Sequence, residues 1–103
     1  MHGFERWLPE IEDFSKRWNV AAFAVFGSVL REDFNENSDV DVLLTPGPEA
    51  RWSALDLVGM QFELEAVFGR SVDVLTSRGV AMSRNKWLRD EITRTARVLY
   101  AAA

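Results

Sequence analysis

Cysteine is absent from this chain, so neither a disulfide framework nor a thiolate metal site is available, which suits a reducing compartment. Histidine occurs once, as His2 at a terminus expected to fray, and no catalytic role is assigned to it. Nowhere do apolar residues run for the roughly 18 positions that a membrane-spanning helix needs. Met1 to Arg6 opens no apolar stretch of signal-peptide length. Basic charge is also scarce. A formal net charge of −4 disfavours a general basic surface, and with it direct nucleic-acid binding. A soluble cytoplasmic protein is therefore expected. With no long linker, low-complexity tract or solenoid-length repeat, the 103 residues suit one compact domain spanning 1–103. A domain of this size buries only about 60–68% of the surface its unfolded chain exposes. A homo-oligomer would add useful burial, although nothing in the sequence demands one.

What is present is a core-forming composition, 48% apolar and 12% aromatic, with an uneven distribution of charge. Residues 1–69 carry a balance of −8 and residues 70–103 a balance of +4. The basic end holds Arg84, Lys86, Arg89, Arg94 and Arg97, which serve either as a solvated face or as a surface for phosphate or an acidic partner.

Hydrophobic spacing divides the chain into helices and strands. Phe4, Trp7, Leu8, Ile11, Phe14 and Trp18 recur at three- and four-residue steps, which predicts an amphipathic helix that is kinked at Pro9 or begins near it. Val20 to Phe26 is a continuous apolar run stopped by Gly27, as expected of a buried strand. Asp39 to Thr45 is a second strand, closed by the turn Pro46-Gly47-Pro48. Ser53 with Asp56 three residues on marks a helix start, and Gly69 its stop. Leu57, Met60, Leu64, Val67 and Phe68 form the apolar stripe between them. Ser71 to Thr76 reads as a third strand. Ser83 is the expected cap of a last helix bearing Leu88, Ile92, Ala96 and Leu99, with Arg97 to Tyr100 as an alternative short extended end. The expected fold class is α/β (α+β), a small mixed sheet of three or more strands flanked by helices.

The chemistry is concentrated in three short stretches. Gly27 and Ser28 follow a buried strand directly, where a sharp turn exposing backbone N–H groups can seat phosphate oxygens. Asp39 and Asp41 are two apart on a strand, so their side chains share a face. Two such carboxylates repel unless a cation lies between them, and their hard oxygen ligands suit Mg²⁺. Asp73 is the acid of the third strand. If that strand neighbours the second in suitable register, Asp73 makes a three-carboxylate cluster. All three acids stand among apolar neighbours, where a carboxylate without a task is costly. Such a cluster can hold two metal ions against the attacking and leaving oxygens of an in-line displacement at phosphorus.

Gly27-Ser28, ten intervening residues, then Asp39-Val40-Asp41 resembles the signature of the DNA polymerase beta superfamily of nucleotidyltransferases. The short chain is similar to the minimal nucleotidyltransferase branch of that superfamily. Asp73 matches the third carboxylate of the pattern, and Arg31 falls where many relatives carry an arginine. The ending Ile92…Ala96-Arg97-Val98-Leu99-Tyr100 is also typical of the branch. The resemblance implies the polymerase-beta-like fold, Asp39, Asp41 and Asp73 as catalytic and metal-binding residues, and Gly27, Ser28 and Arg31 as phosphate-binding residues. It further implies two Mg²⁺ ions, ATP as substrate, and AMP transfer to a tyrosine of a small helical HEPN toxin partner, with this chain as antitoxin. One departure is Glu32, where relatives commonly have glycine; with Asp33 and Glu36 it makes that loop acidic. The competing expectation is a catalytically weak binding module that neutralises a partner by complex formation, with Trp52 or Trp87 serving an interface.

Overall fold

The computed structural model describes residues 4–27 and 39–102. His2, Ser28, Arg31 and the acidic run Glu32, Asp33 and Glu36 lie outside the described residues. The chain opens with a 3₁₀ turn, Phe4–Trp7, and continues as α1, Leu8–Arg17. Pro9 sits in the first turn of α1, where its missing N–H costs nothing and its fixed φ suits the helix. The period expected over Phe4 to Trp18 is thus split where Pro9 begins the α-helix.

Then come β1 (Val20–Phe26), β2 (Val40–Pro46), α2 (Ala54–Phe68), β3 (Val72–Thr76), α3 (Ser77–Met82), α4 (Lys86–Thr95) and β4 (Arg97–Ala101). The strands form one mixed sheet in the order β3-β2-β1-β4. β1 is antiparallel to both β2 and β4, whereas β2 and β3 run parallel, joined by the crossover helix α2.

The ends of α2 follow local chemistry. Ser53 Oγ accepts from the Asp56 N–H at 3.1 Å, and Asp56 Oδ2 accepts from the Ser53 N–H at 2.9 Å, a reciprocal capping box. Gly69 closes the helix with φ +70°, in the left-handed region where glycine avoids a Cβ clash. The C-terminal part departs from expectation. Ser83 does not cap the last helix, because its Oγ is spent on the Asn85 N–H. Asn85 Oδ1 accepts from the Leu88 N–H at 3.2 Å and caps α4 instead. A separate short helix, α3, precedes it, capped by Thr76 Oγ1 on the Gly79 N–H at 3.0 Å. Arg97 to Ala101 leaves α4 as an edge strand paired with β1, the extended alternative.

One face of the sheet carries the core. Phe23 and Val25 of β1, Val42 and Leu44 of β2, and Val72 of β3 are buried against Phe4, Ile11 and Phe14 on one side and Met60, Leu64 and Phe68 on the other. Phe14 meets Phe23 edge-on at a centroid distance of 5.9 Å. Arg17 pairs with Glu63, tying α1 to α2 at the surface. Trp52, half-buried, donates from Nε1 to the Trp18 carbonyl at 2.9 Å and covers the core edge, whereas Trp87 is 86% exposed.

Candidate functional site

β2 alternates between its two faces. Val40, Val42 and Leu44 point into the core; Asp41, Leu43 and Thr45 therefore point to the opposite face. In the parallel pairing of β2 with β3, Asp41 stands opposite Asp73. Register partners in adjacent strands project to the same side, with backbones about 4.7–4.9 Å apart. Asp39 is the residue just before β2, exposed, two positions from Asp41. A backbone bond from the Val40 N–H to the Ser71 carbonyl at 2.9 Å locks the starts of β2 and β3 together. Glu65 Oε2 accepts the Val72 N–H at 3.1 Å and holds α2 to the same end of the sheet.

β1 reaches this site from the other side. In the antiparallel register Phe26 faces Asp41, so Gly27 ends the strand beside that carboxylate. Gly27 has φ +74°. A Cβ placed on it would lie 2.8 Å from Asp41 Oδ2 and 3.2 Å from Glu91 Oε1. Glycine is needed here for its conformation and for the space it leaves to two carboxylates. The Gly27 N–H donates to Thr95 Oγ1 at 3.1 Å, and Thr95 Oγ1 donates to the Glu91 carbonyl at 2.7 Å. The Gly27 amide is therefore engaged by α4.

The electrostatics single out Asp41. Its carboxyl is pushed up to about 6, first by burial and then by Asp73, Glu91 and Asp39 in that order; every contributing group raises it. Glu91 was not among the residues picked out by motif. Its signal in the sequence was its place on the inward stripe of α4, between Leu88 and Thr95 at three- and four-residue steps, an unusual position for an acid.

Among the described residues no three Asp, Glu, His or Cys side chains are gathered closely enough to hold a metal ion between them. The donor chemistry nevertheless fits Mg²⁺, a hard cation that takes one or two carboxylates and fills its shell with water and substrate phosphate oxygens. A half-buried carboxylate raised by three other acids is the observation that fits a cation at this place. The cavity of about 350 Å³ lined by Pro46, Trp52, Leu57, Thr76 and Arg78 lies at the other end of β2 and β3, away from the acids. Arg84, Lys86, Arg89, Arg94 and Arg97 are all exposed.

The fold is that of a nucleotidyltransferase domain. The chain belongs to that family, which matches it over residues 10–98. A Methanocaldococcus jannaschii protein named "putative protein adenylyltransferase" is 46% identical over 57 residues, which cover 55% of this chain; the chain spans 59% of the length of that curated relative. Among solved structures, one described as a minimal nucleotidyltransferase is similar with a TM-score of 0.68 at 26% identity, covering 91% of this chain and 90% of its own. Two others share the fold at lower identity. A toxin–antitoxin complex with AMP-PNP has a TM-score of 0.71 at 15% identity, covering 92% of this chain and 73% of its own. A complex of a tri-AMPylated Shewanella oneidensis HEPN toxin with its MNT antitoxin has a TM-score of 0.68 at 14% identity, covering 95% and 72%. No described helix is long and apolar enough to cross a membrane.

Proposed function

We propose that this chain is a Mg²⁺-dependent nucleotidyltransferase that moves AMP from ATP onto a tyrosine hydroxyl of a HEPN-type toxin, and so acts as an antitoxin in the cytoplasm, where ATP is supplied. The observation that carries the reading is Asp41 in register with Asp73, beside the Gly27 turn, under repulsion from its acidic neighbours. Family membership supports the reaction class. The neighbouring toxin–antitoxin structures, one with AMP-PNP and one with an AMPylated toxin, support the nucleotide, the acceptor and the partner.

In this reading Asp39, Asp41 and Asp73 would hold two Mg²⁺ ions. Bound Mg²⁺ would supply charge stabilisation to the attacking and leaving oxygens. The acceptor oxygen attacks the α-phosphorus of ATP, the bond to pyrophosphate breaks, and the hydroxyl proton passes to Asp73 directly or through water. Ser28 and Arg31, with the turn that Gly27 opens, take the departing phosphates. The test is transfer of label from α-labelled ATP to a co-purified HEPN protein. Label on a tyrosine of that protein, lost in Asp39→Asn and Asp41→Asn, is the expected result. Undiminished transfer in both variants would place the metal site elsewhere.

A second reading, a weak catalyst that neutralises its partner by binding, draws on a specific surface. Leu55, Val58 and Phe62, at a helical spacing on the outer side of α2, are 79%, 46% and 64% exposed. The titration heat of Mg²⁺–ATP separates the two: measurable binding favours the transferase, and none, with a stable toxin complex, favours the binding module.

A further inference from the structure

The cavity of about 350 Å³ opens beyond the carboxyl ends of the parallel strands β2 and β3, where Pro46, Trp52, Leu57 and Thr76 meet. Parallel strands leave a crevice at that end, between their tips and the loops that leave them. The acids stand at the other end. Asp73 is three register steps from Thr76, about 10 Å of strand. We propose that this cavity binds a small organic anion, a phosphate monoester on a flat ring such as a nucleoside monophosphate, at a site separate from the acid-bearing face.

The sign of the lining carries the proposal first. The chain has 16 acidic residues against 12 basic ones. The cavity is nevertheless lined by Arg51 and Arg78 and by no acid. Arg51 comes from the loop before α2, and Arg78 comes from α3. Neither guanidinium has an ion-pair partner among the described residues. Two arginines brought to one cavity without a counter-charge favour an anion there.

The other polar side chains of the lining are already engaged. Ser53 Oγ accepts the Asp56 N–H at 3.1 Å, and Thr76 Oγ1 accepts the Gly79 N–H at 3.0 Å. Trp52 Nε1 donates to the Trp18 carbonyl at 2.9 Å. The start of α2 is closed by its own capping box and supplies no seat. The two guanidinium groups are thus the side-chain donors left for a ligand. The rest of the lining is apolar: Pro46, Ala50, Leu57 and the Trp52 ring. That ring is held by its hydrogen bond and by packing on the core, so stacking a flat ligand on it costs little further order.

A phosphate monoester suits two arginines better than a carboxylate does. With a second pKa of about 6 it is close to dianionic at pH 7, and it offers three acceptor oxygens. The cavity is at the small end of the range for ligand sites, roughly 300–1,000 Å³, and suits a molecule of mononucleotide size.

The test is titration of the ¹⁵N-labelled chain with AMP in EDTA, followed by amide chemical shifts, with adenosine and inorganic phosphate as separate arms. EDTA removes the divalent ions that could couple a nucleotide to the acids, so the result is independent of the proposed transfer reaction. AMP should shift the Arg51, Trp52 and Thr76 amides and the Trp52 indole N–H in a saturable way. Adenosine and phosphate should each bind the same place more weakly. Arg51→Ala and Arg78→Ala should each weaken AMP on the order of tenfold, the scale of one charged hydrogen bond. Trp52→Leu should weaken AMP and adenosine and leave phosphate unchanged, and Asp41→Asn should bind AMP as wild type does. Absence of AMP binding, shifts centred on Asp41 and Asp73 instead, or unchanged affinity in both arginine variants would overturn the site. Inorganic phosphate binding as tightly as AMP would overturn the ligand class, because the ring would then contribute nothing.

Discussion

The two faces of the sheet are built from the same strands and do opposite work. On β2 the even positions Val40, Val42 and Leu44 are buried against α1 and α2; the odd position Asp41 faces Asp73, Gly27 and Glu91. One face is stabilised by excluding water from hydrocarbon. The other is destabilised by packing like charges together. The period of two in a strand lets a single seven-residue segment serve both, so stability and chemistry can be perturbed separately.

Substitutions on each face should break this division in different ways. Phe23→Ala on the core face removes a fully buried ring packed on Phe14 and should cost roughly 3–5 kcal/mol of unfolding free energy. Urea denaturation measures it, and a loss below about 1 kcal/mol would mean that this face is not the core. Asp41→Asn on the other face should leave the fold intact and lower nucleotide transfer on the order of 10³-fold, about 4 kcal/mol in the barrier. Label transfer at saturating Mg²⁺–ATP measures it. Gly27→Ala crosses both faces, because its Cβ meets Asp41 Oδ2 at 2.8 Å with φ +74°. It should destabilise by about 1–2 kcal/mol from backbone strain and displace the carboxylate, lowering thermal stability and Mn²⁺ affinity together.

The smallest effect concerns pH. The Asp41 carboxyl is held at about 6 in the folded chain, above its ordinary value of 3.8, so the folded state keeps its proton where the unfolded state has lost it. Metal-free wild type should therefore lose stability as pH rises from about 4 to about 6. Asp41→Asn should escape that loss. At pH 7 the variant should be more stable on the order of 1 kcal/mol, after allowing for solvent screening of a half-exposed group. Thermal melting in EDTA at pH 4 and pH 7 reads the difference; equal melting of the two proteins at pH 7 would remove the repulsion from the account. Added Mg²⁺ should raise the melting temperature of wild type at pH 7 and leave Asp41→Asn little changed.

Local signals proved reliable where the physics is local. The Ser53 and Asp56 capping box, the Gly69 stop and the strand alternation around Asp41 all depend on neighbours within a few residues. Ser83 misled for the same reason: its hydroxyl finds the Asn85 N–H two residues on, which leaves the helix to Asn85. β4 was only an alternative because its pairing partner, β1, lies some seventy residues earlier in the chain. The outer ridge of α2, with Leu55, Val58 and Phe62 exposed, was hidden in a helix whose apolar residues encircle it rather than forming one stripe. The engagement of the Gly27 amide by Thr95 and the approach of Glu91 to Asp41 depend on α4 docking against β1, which no spacing rule reports.

By itself the sequence determined that Asp41 lies on the strand face opposite Val40 and Val42, that glycine ends the strand before it, and that the chain carries its acids early and its bases late; Asp39, expected to open that strand, instead stands just before it. Those properties follow from the two-residue period of an extended backbone and from composition. Only the tertiary structure decided that Asp73 stands in register with Asp41, that Gly27 yields its amide to α4, and that a fourth acid approaches from that helix. The reason is that register and helix docking are set by burying the opposite, apolar face of the sheet, a balance to which residues from every part of the chain contribute.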